Sequence, residues 1–152
     1  MRTLSEGQVQ FIVVGGVASV LNGAPVNTFD FEIVPSRDEE NVARLLRVLD
    51  VVDAIYREPT RRITPDASHL SSPGHQNLTT KYGPFDVLGT IGRGLSYEGL
   101  LPHTVEMDIG DGVRVRVLDL ETIIAIKEEL GTEKDLAVLP LLRRTLKEKQ
   151  GR

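Results

Sequence analysis

Thr28-Phe29-Asp30-Phe31-Glu32-Ile33-Val34 alternates apolar and acidic side chains, and the reading of this stretch decides the fold. Neighbouring side chains of a β-strand point to opposite faces, so Asp30 and Glu32 share one face while Phe29, Phe31 and Ile33 share the other. The apolar face predicts anchorage in a core. The two carboxylates are then held close together on the opposite face, where a cation or a proton relieves their repulsion. A strand built this way is a platform for a metal ion.

Upstream, Phe11-Ile12-Val13-Val14 is an unbroken apolar run within an expected buried strand, Val9 to Val14, that ends at Gly15-Gly16. A short helix is expected over Val17 to Asn22, closed by Gly23 where left-handed backbone costs least. Downstream, Pro35 ends the acidic strand and Ser36-Arg37-Asp38-Glu39 matches a capping box. Val42, Leu45, Leu46 and Leu49 recur at helical spacing, which predicts a helix from about 37 to 50. A short strand is expected within Val51 to Tyr56, and Glu58 to Gly74, rich in Pro, Ser, Thr and Arg, reads as an exposed connection.

His75 to Thr80 and Phe85 to Leu88, joined by Lys81-Tyr82-Gly83-Pro84, read as a hairpin or two edge segments. Gly110-Asp111-Gly112 marks a second hairpin between His103 to Ile109 and Val113 to Leu118. Asp119 is placed to cap a helix reaching about Leu130, Gly131 to close it, and Thr132 to cap a last helical region interrupted at Pro140.

A chain of 152 residues with 40% hydrophobic and 26% charged residues is long enough for one domain with its own core. No internal repeat or linker points to a second. The absence of Cys removes disulfide and thiolate chemistry. Phe11 to Leu21, the longest apolar stretch, is broken by the glycine pair and falls short of the roughly 20 residues of a spanning helix. No basic start followed by an apolar run and a cleavage site reads as a secretory signal, so a cytoplasmic, membrane-free location is expected and the sequon Asn77-Leu78-Thr79 is a chance match. A net charge of −4 and a pI near 5.4 argue against broad capture of duplex DNA, while a local basic patch remains able to hold an RNA end. Arg57, Arg61 and Arg62 come nearest to such a patch, and a solvated loop is the simpler reading of them.

The chemistry concentrates in a few residues. Backbone N–H groups at Gly15-Gly16 form a small anion-binding corner, because missing side chains let a phosphate approach. Alone, the pair is equally a tight strand-to-helix turn. Beside the acidic strand it gains weight, since polyphosphate chemistry needs hard oxygen ligands next to a place for phosphates. Two divalent ions roughly 4 Å apart divide several carboxylates between them, so a third acid is expected. Asp86, set in the apolar run Phe85-Asp86-Val87-Leu88, is the candidate; otherwise it is a solvated sheet-edge residue or the partner of an arginine. Glu39, Glu40, Asp108 and Asp111 belong to a cap, a helix face or turns and take the plain reading.

Lys127 falls within the apolar stripe of Leu120, Ile123, Ile124 and Leu130, a poor place for a lysine that only packs. Either its stem runs along the core to water or its ammonium is aimed into an acidic or phosphate-bearing cleft. Lys134-Asp135 adds a second cation, orients the first, or is an ordinary exposed pair. His69 and His75 lack a helical metal-ligand spacing. No serine triad or GxGxxG fingerprint is present.

With Gly15-Gly16, Asp30-x-Glu32 and Asp86 in this order, the chain resembles the DNA-polymerase-beta-like nucleotidyltransferase superfamily, particularly small bacterial proteins of the abortive-infection or toxin type. The resemblance rests on Gly23-Ala24-Pro25-Val26-Asn27-Thr28-Phe29-Asp30-Phe31-Glu32, on Gly83-Pro84-Phe85-Asp86, and on a closing segment from Val117 to Lys127 followed by Lys134-Asp135-Leu136. It implies an α+β fold, a mixed sheet with helices packed on it, as a single domain with a core over about 8–118 and C-terminal helices over about 119–149. It further implies Asp30, Glu32 and Asp86 as catalytic metal ligands for two Mg²⁺ or Mn²⁺ ions, with Gly15, Gly16, Thr28, Lys127 and Lys134 binding the nucleotide. The implied reaction transfers a nucleoside monophosphate from an NTP to an acceptor hydroxyl of an RNA end, a protein side chain or a small molecule, releasing pyrophosphate. A partner protein from a neighbouring gene also fits the type. Glu32 stands where the family has a second Asp, Val26 where an Arg is frequent and Gly16 where a Ser is frequent. These departures keep open an alternative, a nucleotide-binding or partner-binding module without catalysis. A third reading is an α/β domain whose acids are surface charges.

Overall fold

In the computed structural model, which describes residues 1–58 and 60–151, a short helix α1 (Arg2–Glu6) leads into β1 (Phe11–Val14), whose four residues are all buried. The next helix, α2 (Gly15–Leu21), begins at the glycine pair itself, earlier than the expected Val17. β2 (Phe31–Pro35) is shorter at its front than the expected strand. Thr28, Phe29 and Asp30 precede it, and Phe29 is 88% exposed instead of anchoring in the core. The cause lies in the partner: pairing with β1 ends at Val14↔Glu32, because the chain leaves the sheet at Gly15, so the earlier residues have no backbone to bond on that side.

Asp38 caps α3 (Glu39–Val51), its carboxylate accepting from the Asn41 N–H at 2.8 Å. The expected cap, Ser36, serves the true one, its hydroxyl donating to Asp38 at 2.9 Å. Because α3 continues through Val51, the expected strand there contracts to β3 (Ile55–Tyr56). The connection read as exposed contains a turn of helix, α4 (Ala67–Leu70), started by an Asp66/His69 capping box and pinned by buried Leu70.

β4 (His75–Thr80) and β5 (Gly83–Leu88) form the first predicted hairpin around Lys81-Tyr82. After α5 (Tyr97–Leu100) and a 3₁₀ turn, β6 (Thr104–Asp108) and β7 (Arg114–Leu118) form the second. Asp119 caps α6 (Leu120–Leu130) and Gly131, at φ +59°, ends it as the sequence predicts. α7 (Glu133–Gln150) runs through Pro140 without the expected interruption. Pro140 and Leu136, whose carbonyl loses its donor, both lie on the exposed side, while Leu139 and Leu142 hold the helix to the core.

The strands make one mixed sheet in the order β3-β4-β5-β2-β1-β7-β6. β1 is antiparallel to β2 and parallel to β7, and β2 is parallel to β5. Directly paired residues point to the same face. Phe31 and Phe85 therefore share the side where Leu4 of α1 and Val48 of α3 pack, whereas Glu32 and Asp86 share the other. One buried apolar cluster extends from Leu4 to Leu142. Buried Asn41 clamps the start of β1 to the end of β2, accepting from the Gln10 N–H and donating to the Gln10 and Ser36 carbonyls. Asn22 likewise ties α2 to β7 by donating to the Leu118 carbonyl. Among the described residues, no helix is long and apolar enough to cross a membrane.

Candidate active site

Gly15 has φ +67°, a left-handed conformation that a side chain makes costly. A Cβ there would lie 2.7 Å from the Glu32 Oε1, and a Cβ on Gly16 would lie 2.6 Å from the Thr28 Oγ1. The two glycines thus press their backbone against Glu32 and Thr28, so the turn that ends β1 and the front of β2 form one corner. Thr28 shapes it further, its hydroxyl donating to the Asp30 carbonyl at 3.2 Å just ahead of the strand.

Parallel pairing sets Glu32 directly beside Asp86 on one face. Burial pushes the Glu32 carboxyl above its ordinary pKa, the Asp86 and Asp30 charges push it further, and Lys127 and Lys134 oppose them. All three predicted acids and both predicted lysines therefore share one electrostatic neighbourhood, although they come from β2, β5, α6, α7 and the segment before β2. Among the described residues, no basic side chain forms an ion pair with Asp30 or Glu32.

Lys127 is three-quarters buried and reaches Asp135 at 3.2 Å. Burial would raise the Asp135 carboxyl, yet the Thr132 hydroxyl and Lys127 outweigh it and hold that carboxyl low. Of the alternatives for Lys134-Asp135, the acid orients the first lysine. Leu130, read as part of the stripe around Lys127, is half exposed because the helix ends there, and Ile126 takes its place in the core.

Asp86 is buried and paired with Arg57, which its sequence context places in a solvated loop. Arg57 donates through Nη2 to Asp86 Oδ1 at 2.6 Å and through Nη1 to the Leu78 carbonyl at 2.6 Å. Its own backbone N–H donates to the Asn77 carbonyl at 3.2 Å, which fixes the arm beside β4. The sequence carries only half of the signal: an acid inside an apolar strand needs a compensating cation, but Arg57 meets it only through the β3–β4–β5 pairing. Arg61 and Arg62 are exposed, as expected of a solvated loop.

Carboxylate oxygens suit a hard divalent ion, and burial, with the Asp86 and Asp30 carboxylates added, holds Glu32 above its ordinary pKa while Lys127 and Lys134 offset this only in part. Asp30 and Glu32, beside the glycine corner that Glu32 and Thr28 pack against, supply oxygens of that kind. Among the described residues, no group of three or more acids or histidines is arranged to hold a metal, and Asp86 already gives one oxygen to Arg57.

No family model and no curated protein matches the chain. Solved structures do. A candidate nucleotidyltransferase from Thermotoga maritima is 19% identical and aligns over 97% of this chain and 88% of its own, with a TM-score of 0.56. The lincosamide antibiotic adenylyltransferase LnuA, with lincomycin bound, is 12% identical over 93% of this chain and 90% of its own, with a TM-score of 0.62. The chain therefore shares the mixed-sheet α+β fold of these two structures.

Proposed function

We propose that the chain is a nucleotidyltransferase that moves a nucleoside monophosphate from an NTP to an acceptor hydroxyl. The observation that carries the proposal is the contact of the Gly15-Gly16 turn with Glu32 and Thr28, while Glu32 lies in register with Asp86. The glycine N–H groups receive the phosphates where side chains are missing, and the Thr28 hydroxyl joins them by turning from the Asp30 carbonyl to a phosphate oxygen. Asp30 and Glu32 hold a divalent ion, Mg²⁺ or Mn²⁺. When bound, that ion neutralises phosphate charge and polarises the phosphoryl group under attack. Lys134 meets the negative charge that grows on the leaving phosphates, and Lys127, oriented by Asp135, borders the same cluster. The acceptor oxygen bonds to the α-phosphorus, the bond to the bridging oxygen breaks with its electron pair leaving on pyrophosphate, and a carboxylate of the cluster takes the acceptor's proton. Positioning and electrostatics supply most of the acceleration.

Incubation with each labelled NTP and Mg²⁺ or Mn²⁺ tests this directly. Transfer of label that disappears in Asp30→Ala is the expected result; turnover indifferent to that substitution contradicts it. A second reading, binding without transfer, draws on the Arg57 clasp of Asp86. Saturable NTP binding by the wild type with no product formed on any acceptor would favour it.

A further inference from the structure

The geometry points to Arg57 as a resident cation standing where a second divalent ion would otherwise be held, so that the site takes a single divalent ion on Asp30 and Glu32. This inference rests on the proposed metal-assisted function and concerns the same site. The Arg57 guanidinium is fastened twice, at 2.6 Å to Asp86 Oδ1 and at 2.6 Å to the Leu78 carbonyl. The acid end of the pair is the better shielded, with the Asp86 side chain 11% exposed against 35% for Arg57. Charge-assisted bonds of this length are strong, and removing one partner leaves a buried charge uncompensated. The guanidinium occupies Asp86 Oδ1, so a metal ion could use that oxygen only by displacing it, and an ion approaching Oδ2 would meet the positive charge of Arg57.

Charge balance supports the same count. Asp30, Glu32 and Asp86 bring three negative charges when ionised, Arg57 cancels one, and one divalent ion cancels the other two. Lys127 is paired with Asp135, which cancels most of its charge, so it offsets the cluster only in part. Lys134, absent from the ion pairs of the described residues, is left for the phosphates. On the same face Asp86 also neighbours Asn77, an uncharged residue that supplies no further compensation.

Titration of metal-free protein with Mn²⁺ alone, with free ion followed by electron paramagnetic resonance, separates the possibilities without relying on activity. The wild type should bind one Mn²⁺ per chain, and Arg57→Lys should do the same. Arg57→Gln should free Asp86 Oδ1 and either admit a second ion or measurably tighten Mn²⁺ binding, because the charge that competes for that carboxylate is gone. Adding Asp86→Asn to Arg57→Gln should abolish the gain. Two ions in the wild type, or a folded Arg57→Gln protein with unchanged stoichiometry and affinity, would overturn the inference. Should Arg57→Gln fail to fold, Asp86→Asn decides: unchanged Mn²⁺ binding supports the inference, and loss of the ion refutes it. Asp30→Asn tests the underlying function separately, because retention of the ion in that variant contradicts the metal platform whatever Arg57 does.

Discussion

On one face of the β2–β5 pair, Phe31 stacks on Phe85 with ring centres 5.3 Å apart, and fully buried Ile33 lies beside Val87; on the other, the same register sets Glu32 against Asp86. One face satisfies itself, since each apolar side chain finds its partner within the fold. The other does not, because burial and two neighbouring carboxylates leave Glu32 with its charge disfavoured and only partly offset by lysines. The contrast teaches that identical pairing can hold a fold together on one side and store an unmet demand for a cation on the other.

The largest break in this comparison is expected from Ile33→Ala on the apolar face, which should cost about 2–5 kcal/mol of stability in urea unfolding. The folded fraction should keep its response to NTP and divalent ions, and loss of that response in fully folded protein would show that the faces are not separable. Gly15→Ala acts at the corner between strand and site. It should cost about 1–2 kcal/mol through its left-handed backbone and also abolish NTP binding in calorimetry, because the new Cβ collides with Glu32. Retained binding would remove the glycine corner from the account.

Asp119→Ala serves as a comparison remote from both faces of the β2–β5 pair. Loss of its bond from the Thr122 N–H, 2.7 Å in the native protein, should cost about 1 kcal/mol and leave Mn²⁺ binding unchanged. The smallest effect is of opposite sign. Since the folded state raises the Glu32 pKa, it binds the Glu32 proton more tightly than the unfolded chain does, so ionisation of Glu32 lowers stability as pH rises. Without divalent ions, Glu32→Gln should raise the melting temperature slightly at neutral pH, and the gain should vanish once pH falls below the ordinary carboxylate range. A lower melting temperature at neutral pH would mean that Glu32 is already compensated within the protein.

Helix and hairpin signals were legible where they are local. Asp119, Gly131 and Thr132 act as caps or terminators at the predicted positions, because capping depends on residues within one turn. Ends that depend on a distant partner were not legible: Phe29 alternates correctly for a strand, yet β1 leaves the sheet too early to pair with it. For the same reason the acids were recognisable individually from their placement among apolar residues, whereas the pairing of Arg57 with Asp86 spans 29 positions and requires the β3–β4–β5 arrangement. The contact of Gly16 with Thr28 also emerges only after α2 turns the chain back.

The most direct measurement is a crystal structure with Mn²⁺ and a nonhydrolysable NTP analogue, read by anomalous scattering. The account predicts a manganese peak bridging Asp30 and Glu32, with the analogue's phosphates against the Gly15-Gly16 backbone. Manganese and phosphates bound elsewhere, with this corner empty, would contradict it.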